Sequence, residues 1–165
     1  MFCSTKKISV NYNKIPVLQN VSIKIMKGQT TAIIGKNGSG KTTLLRCVNC
    51  LIRPTSGSIK HSFNNPFPML FQKPAKFHNT VYYNFEILCK IKKIKPLTKW
   101  YKTFGLEKIS EKNINQVSGG EQQKTYLSRI MSANLKVIIL DEPSQNLDKE
   151  SDRKLIQLLL EEKIQ

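Results

Sequence analysis

Three clusters of residues carry groups suited to chemistry. In the first, Gly35, Lys36, Asn37, Gly38, Ser39, Gly40, Lys41, Thr42 and Thr43 satisfy the pattern G-x-x-x-x-G-K-[ST]. Glycines let the backbone turn several N–H groups toward one point, and a helix opening at Lys41 adds the positive end of its dipole. The stretch therefore predicts a phosphate cradle. Lys41 is a mobile point charge suited to β- and γ-phosphates, and the Thr42 hydroxyl is a hard oxygen ligand suited to Mg²⁺. Thr43 is expected to support the cradle rather than the metal. The second cluster is Asp141 and Glu142, which close the apolar run Val137, Ile138, Ile139 and Leu140. Two acids at the end of a buried strand are costly unless they have work. Downstream of a phosphate loop, Asp141 would hold Mg²⁺ through its water shell, and Glu142 would orient and polarise an attacking water. The third cluster is Ser118, Gly119, Gly120 and Glu121. Ser118 with Glu121 three residues on is a capping box, and the unobstructed N–H groups of the glycines offer a second anion site. On these residues alone, a well-capped helix explains the third cluster as well.

The elements that must position these groups are legible in outline. Val21, Ile23 and Ile25 alternate with Ser22 and Lys24, the period of a half-buried strand. Residues 30–34 are β-branched or apolar and predict a strand, buried on both faces, that delivers Gly35 at its carboxyl end. Leu44, Leu45, Val48 and Leu51 follow helical spacing, and Pro54 with Gly57 closes the unit. Upstream, residues 8–18 read as a strand or hairpin carrying Tyr12, whose ring suits either stacking on a base or ordinary strand packing. Residues 58–72 read as irregular until Met69, Leu70 and Phe71 make a short strand ending at Gln72. From residue 80 to residue 132 the pattern is helical with a break at Pro96, which predicts a helical subdomain. Residues 144–148 are a polar loop, and Asp148 can cap a last helix whose apolar face includes Leu155, Leu158 and Leu159.

Composition bounds the reading. The chain has 165 residues, 39% of them apolar, enough for one domain with its own core. No apolar run of membrane-spanning length and no secretory signal is present, so the cytoplasm is the expected compartment. Four cysteines in that setting argue against a disulfide framework, and Cys47 with Cys50 are expected to be buried thiols of the helix after the phosphate loop. The net charge is +16, from 27 basic and 11 acidic residues. Such a charge attracts polyanions, but the lysines are scattered and lack interleaved aromatic platforms, which disfavours specific nucleic-acid binding. An anionic membrane leaflet is an equally good electrostatic partner.

Taken in order, these motifs resemble those of the ATP-binding cassette (ABC) ATPases. Residues 35–42 match that family's Walker A, Gln72 its Q-loop glutamine, residues 117–121 its signature, residues 137–142 its Walker B with the catalytic glutamate, and residues 144–148 its D-loop. The resemblance runs from about Tyr12 to the last residue. It implies an α/β phosphate-loop NTPase core with a mainly parallel sheet, an antiparallel β edge near the N-terminus and a helical signature subdomain. It implies ATP and Mg²⁺, with Tyr12 stacking on the adenine, Gln72 joining Thr42 and Asp141 at the metal, and Glu142, Gln72 and Lys41 serving hydrolysis. It also implies a head-to-tail dimer in which Ser118, Gly119 and Gly120 of one copy cover the nucleotide of the other. The partners so implied are a separate membrane permease and, through it, a solute-binding protein, with the ATPase peripheral at the inner face of the membrane. An importer subunit is the expected role, with a small oxyanion such as tungstate or molybdate as cargo. The alternatives are a soluble cassette acting on nucleic acid or ribosomes, and a cassette that binds ATP without turnover. The family's switch histidine follows the D-loop helix, where this chain stops, and His61 and His78 precede the signature. The expectation is a single domain over residues 1–165 that lacks the switch-histidine region.

Overall fold

The computed structural model describes residues 1–63 and 66–161. Asn64 and Asn65, inside the stretch expected to be irregular, and the last four residues of the expected 1–165 domain lie outside the described residues. The chain forms two compact units, Met1–Phe67 and Pro68–Glu162.

In the first unit β1 (Cys3–Tyr12) is the central strand. It pairs antiparallel with β2 (Ile15–Val21), with β3 (Lys24–Ile25) and with β4 (Ser56–His61). Asn13 and Lys14, at φ 49° and 70°, make the two-residue turn of the β1–β2 hairpin, and Tyr12 faces Ile15 across it. Two successive positive φ values match the twist of the flanking strands, which is why Asn suits the turn. This is the antiparallel edge expected near the N-terminus. The alternation at Val21, Ile23 and Ile25 also holds, with all three half-buried and Ser22 and Lys24 exposed, although the strand is interrupted between β2 and β3. β4 was not expected. Its sequence, Ser-Gly-Ser-Ile-Lys-His, has almost no apolar signal, and the ladder to residues 3–9 of β1 is what makes it a strand.

The expected strand at residues 30–34 does not form. Those residues have no ladder partner among the described residues, and Ile34 is 92% exposed. A strand owes its backbone hydrogen bonds to a neighbour, so β-branched composition cannot establish one alone.

α1 (Lys41–Val48) follows, with Thr43, Leu44, Cys47 and Val48 buried. It ends one turn earlier than the apolar spacing predicted. Cys50 takes the left-handed conformation at φ 58°, and the Leu51 N–H returns to the Arg46 carbonyl at 2.9 Å, leaving Leu51 outside the helix and 40% exposed. Cys50 therefore lies in the turn, not in the helix. Burial pushes the Cys3 thiol up to about 11, with Cys50 as a lesser cause, and raises the Cys47 thiol as well, so both stay protonated. Asn49 is fully buried and pins the Phe67 backbone through two hydrogen bonds of 2.9 Å.

In the second unit β5 (Met69–Leu70) and β6 (Ile139–Leu140) pair in parallel, Met69 facing Ile139 and Leu70 facing Leu140. They supply the parallel component of the fold. α2 (Val81–Lys92) packs against α4 (Gly119–Met131), and α3 (Lys99–Thr103) lies between them in sequence, after Pro96. α5 (Lys149–Glu161) places Leu155 and Leu158 in the same core as Val81, Phe85, Trp100 and Leu127. The helical run and its break at Pro96 are thus as the sequence predicts.

Candidate functional site

In the first unit, residues 35–40 connect directly to α1. Gly40 sits at φ 89°, and a Cβ there would approach the Leu18 side chain to 2.6 Å and the Val17 carbonyl to 2.8 Å. Only glycine accepts both the conformation and the close approach to β2. With Gly40 as N-cap and no side chain capping the helix, the first-turn N–H groups of α1 are left for a ligand. Gly38, at φ 79°, turns the tip of the loop in open space. The Lys41 ammonium folds back onto the carbonyls of Gly35 and Lys36, each at 3.0 Å. Gly35, Lys36, Asn37, Gly38 and Ser39 are exposed, Gly40, Lys41 and Thr42 half-buried, and Thr43 buried. Thr42 is thus the more accessible of the two threonines. Tyr12 stands at the end of β1, 44% exposed.

In the second unit, β6 carries Asp141 and Glu142 at its carboxyl end. The Asp141 N–H continues the ladder to the Leu70 carbonyl at 2.9 Å. Its side chain is 2% exposed, and Oδ2 is buried with no hydrogen-bond partner among the described residues. A buried carboxylate oxygen without a donor is costly, and a hard cation or its water shell satisfies it, so this residue fits Mg²⁺. Glu142 adopts the left-handed region at φ 49°, a strained conformation for a residue with a side chain. Its Oε2 accepts from Gln72 Nε2 at 2.8 Å. Gln72 follows β5 and Glu142 follows β6, so the parallel pairing brings together two residues seventy positions apart.

α4 opens with the expected capping box. The Glu121 N–H donates to Ser118 Oγ at 3.2 Å, and Glu121 Oε2 accepts from the Ser118 N–H and hydroxyl, each at 2.7 Å. These bonds hold the Glu121 carboxyl below its ordinary range. A Cβ at Gly120 would come within 2.9 Å of the Asn146 carbonyl, so the glycine lets the loop at 143–148 lie against the start of α4. Gln123 Nε2 donates to the Pro143 carbonyl at 2.8 Å, and Lys124 Nζ reaches Asp148 Oδ2 at 2.9 Å. Asp148 also caps α5, accepting from the Ser151 N–H and hydroxyl at 2.8 and 2.9 Å. One loop is therefore fastened to two helices.

Sequence reasoning missed Gln123, Lys124 and Arg129. Arg129 is 8% exposed and donates to the Asn84 carbonyl, Asn84 Oδ1 and the Ala75 carbonyl, with its guanidinium over the rings of Phe77 and Tyr126. Burial pulls it down to about 10, so it remains charged at neutral pH. It ties α4 to α2 and to the segment that precedes α2. A buried Arg without a carboxylate has no signature in spacing, which is why it escaped notice.

A glycine loop feeding a helix, and a strand-end acid pair tied to a glutamine, define a nucleotide-binding protein of the phosphate-loop class. A family model described as ABC transporter matches residues 18–145. The ABC transporter ATP-binding protein YtrE of Bacillus subtilis (strain 168) is 32% identical over 169 residues, covering 89% of this chain and 73% of that protein. The spermidine/putrescine import ATP-binding protein PotA of Fusobacterium nucleatum is 35% identical over 167 residues, covering 89% of this chain and 44% of that protein. Among solved structures, the dimeric structure of MJ0796, a bacterial ABC transporter cassette, matches with a TM-score of 0.79 at 25% identity, covering 96% of this chain and 81% of that one. The chain belongs to the ABC transporter family, as an ATP-binding subunit. It spans about half the length of most of the curated relatives it matches, 44% to 60%.

Proposed function

We propose that this chain binds and hydrolyses ATP for an ABC transporter and drives import of a solute through a separate membrane permease. The observation that carries the chemistry is the Gln72–Glu142 hydrogen bond at the ends of the paired strands. It holds the carboxylate that would accept a proton from the attacking water, while Gln72 has a second amide position to orient that water. Lys41, released from the Gly35 and Lys36 carbonyls, would take the β- and γ-phosphate charge, and the N–H groups of residues 35–43 would cradle the phosphates. Mg²⁺, when bound, would neutralise charge developing on the phosphoryl oxygens, with Thr42, Gln72 and Asp141 as its ligands. Tyr12 is exposed enough to stack on an adenine ring.

Ser118, Gly119 and Gly120, at the start of a capped helix, suit a second contact to phosphate, and we assign that contact to the nucleotide of a head-to-tail second copy. The dimeric state of MJ0796 supports this assignment. Among the described residues no helix is long and apolar enough to cross a membrane, which supports attachment at the inner membrane face through the permease. A solute-binding protein would act through that permease. The printed role of PotA supports import. A cassette touches nucleotide and permease rather than cargo, so the small-oxyanion assignment, tungstate or molybdate, rests on the family resemblance. Uptake of molybdate against spermidine by the assembled transporter decides it.

The test of the chemistry is Glu142→Gln, which keeps shape and the capacity to contact Gln72 but removes the base. Phosphate release is expected to fall about 10²- to 10⁴-fold while ATP binding persists. Turnover equal to that of the parent chain would remove Glu142 from the mechanism.

A further inference from the structure

The strongest unassigned feature is a surface at the carboxyl end of α2 and the connection to α3. Between Glu86 and Glu107 the chain holds six lysines and no acid. Within that stretch Ile91, Ile94 and Leu97 are 69%, 42% and 47% exposed. Lys92, Lys93 and Lys95 alternate with them, are exposed, and make no ion pair among the described residues, whereas Lys90 is held by Glu86. The backbone is well fixed. Lys93 takes the left-handed conformation at φ 55°, the Ile94 N–H returns to the Cys89 carbonyl at 3.0 Å, and the Leu97 N–H donates to the Ser132 carbonyl at the end of α4, also at 3.0 Å. The aliphatic side chains are thus displayed by a rigid turn. Lysines in the last turn of a helix complement its dipole, which accounts for Lys90 and Lys92. It accounts neither for Lys95, which lies beyond the helix, nor for three large aliphatics left in water beside the charges.

We propose that the segment 91–97 is a docking surface for an anionic lipid bilayer, with Lys92, Lys93 and Lys95 on the headgroups and Ile91, Ile94 and Leu97 at the acyl boundary. Basic charge interleaved with aliphatic side chains is the composition that binds an interface by electrostatics and burial together. Nucleic acid fits the surface less well. Base stacking needs exposed aromatic rings, and the aromatics of this region, Trp100 and Tyr101, are 1% and 3% exposed. The surface adds a direct lipid contact to whatever hold a permease provides, and it does not depend on the ATPase reading.

The test is sedimentation of the nucleotide-free chain with phosphatidylcholine vesicles, with and without phosphatidylglycerol. Each lysine at an anionic surface contributes about a fivefold factor, so K92Q/K93Q/K95Q is expected to weaken binding to the anionic vesicles roughly a hundredfold. The control K6Q/K7Q/K14Q removes the same charge from the exposed β1–β2 hairpin and is expected to weaken it far less. I91S/I94S is expected to abolish the part of the binding that survives high salt. Equal loss in the two lysine variants, unaltered salt resistance in the isoleucine variant, or tighter retention on an oligonucleotide that the lysine variant abolishes would each overturn the proposal.

Discussion

The phosphate loop of the first unit and the 143–148 loop of the second are built on opposite plans. The phosphate loop is exposed and hydrogen-bonded to itself, with Lys41 on the Gly35 and Lys36 carbonyls and the Ser39 N–H on the Lys36 carbonyl at 3.2 Å. Its shape comes from local backbone freedom at Gly38 and Gly40. The 143–148 loop is fastened by two partners far away in sequence, Gln123 and Lys124, besides the local Asp148 cap on Ser151. A binding loop whose lysine must change partners gains from having few outside ties. A loop that must present fixed groups gains from many.

The contrast predicts different failures. The largest expected effect is on stability in the second unit. Arg129→Ala would remove three charged donor contacts at once, to the Asn84 carbonyl, Asn84 Oδ1 and the Ala75 carbonyl, and open space beside Phe77 and Tyr126, although Asn84 Oδ1 would keep the Phe77 N–H. A loss of about 3–5 kcal/mol in a urea denaturation curve is expected. Arg129→Lys, which keeps the charge but lacks the fork of donors, should fall between. If Arg129→Ala unfolds with the parent, the fastening of α4 to residues 75–84 is not structural, and the contrast fails on that side.

On the other side, Lys41→Ala should leave the denaturation midpoint almost unchanged, because Lys41 is half-exposed and bonds only carbonyls that water can serve. It should nonetheless weaken ATP binding. A hydrogen bond to a charged group contributes about 1.5–3 kcal/mol, so a loss of about ten- to a hundredfold in affinity is expected in a titration with a fluorescent ATP analogue. Lys41→Arg should also fail, since the planar guanidinium is not a compact point charge. Unchanged affinity in Lys41→Ala would remove the phosphate-loop assignment.

The same contrast explains what was legible in the sequence. Features fixed by neighbours a few positions apart could be read directly: the Gly35 to Thr43 motif, the Ser118–Glu121 box and the Asp148 cap. Features fixed by distant partners could not. β4 reads as irregular until β1 supplies its ladder, and residues 30–34 read as a buried strand yet find no ladder partner among the described residues. That Gln72 and Glu142 serve one reaction was implied only through family resemblance, and their hydrogen bond was not read at all, because it depends on the register of two short strands. Arg129 and Gln123 were invisible because their partners are mostly backbone carbonyls, which every residue type offers alike.

The smallest expected effect concerns pH and belongs to the fastened loop. The N–H of Ser151 first, then Lys124 and the Ser151 hydroxyl, hold the Asp148 carboxyl well below its ordinary range, and Ser118 lowers Glu121 more mildly. A carboxyl with a depressed folded-state pKa contributes stability that is fully present above its unfolded value, about 4, and is lost as pH falls toward the folded one. Between pH 7 and pH 5 these two groups should therefore leave the melting temperature flat, and below about pH 4 they should lower it. Asp148→Asn keeps most of the helix cap but no charge for Lys124, so its deficit at pH 7 should be small, since Asn caps well and exposed ion pairs are weak. By about pH 3 that deficit should be smaller than at pH 7, because the unfolded carboxyl has taken its proton while the folded one, held well below its ordinary range, still carries charge. Added salt should shrink it at neutral pH by screening the Lys124 contact. Melting curves of parent and variant at the three pH values check this. A deficit as large at the acid end as at neutrality would mean that the side-chain amide, and not the lost carboxylate, accounts for the difference.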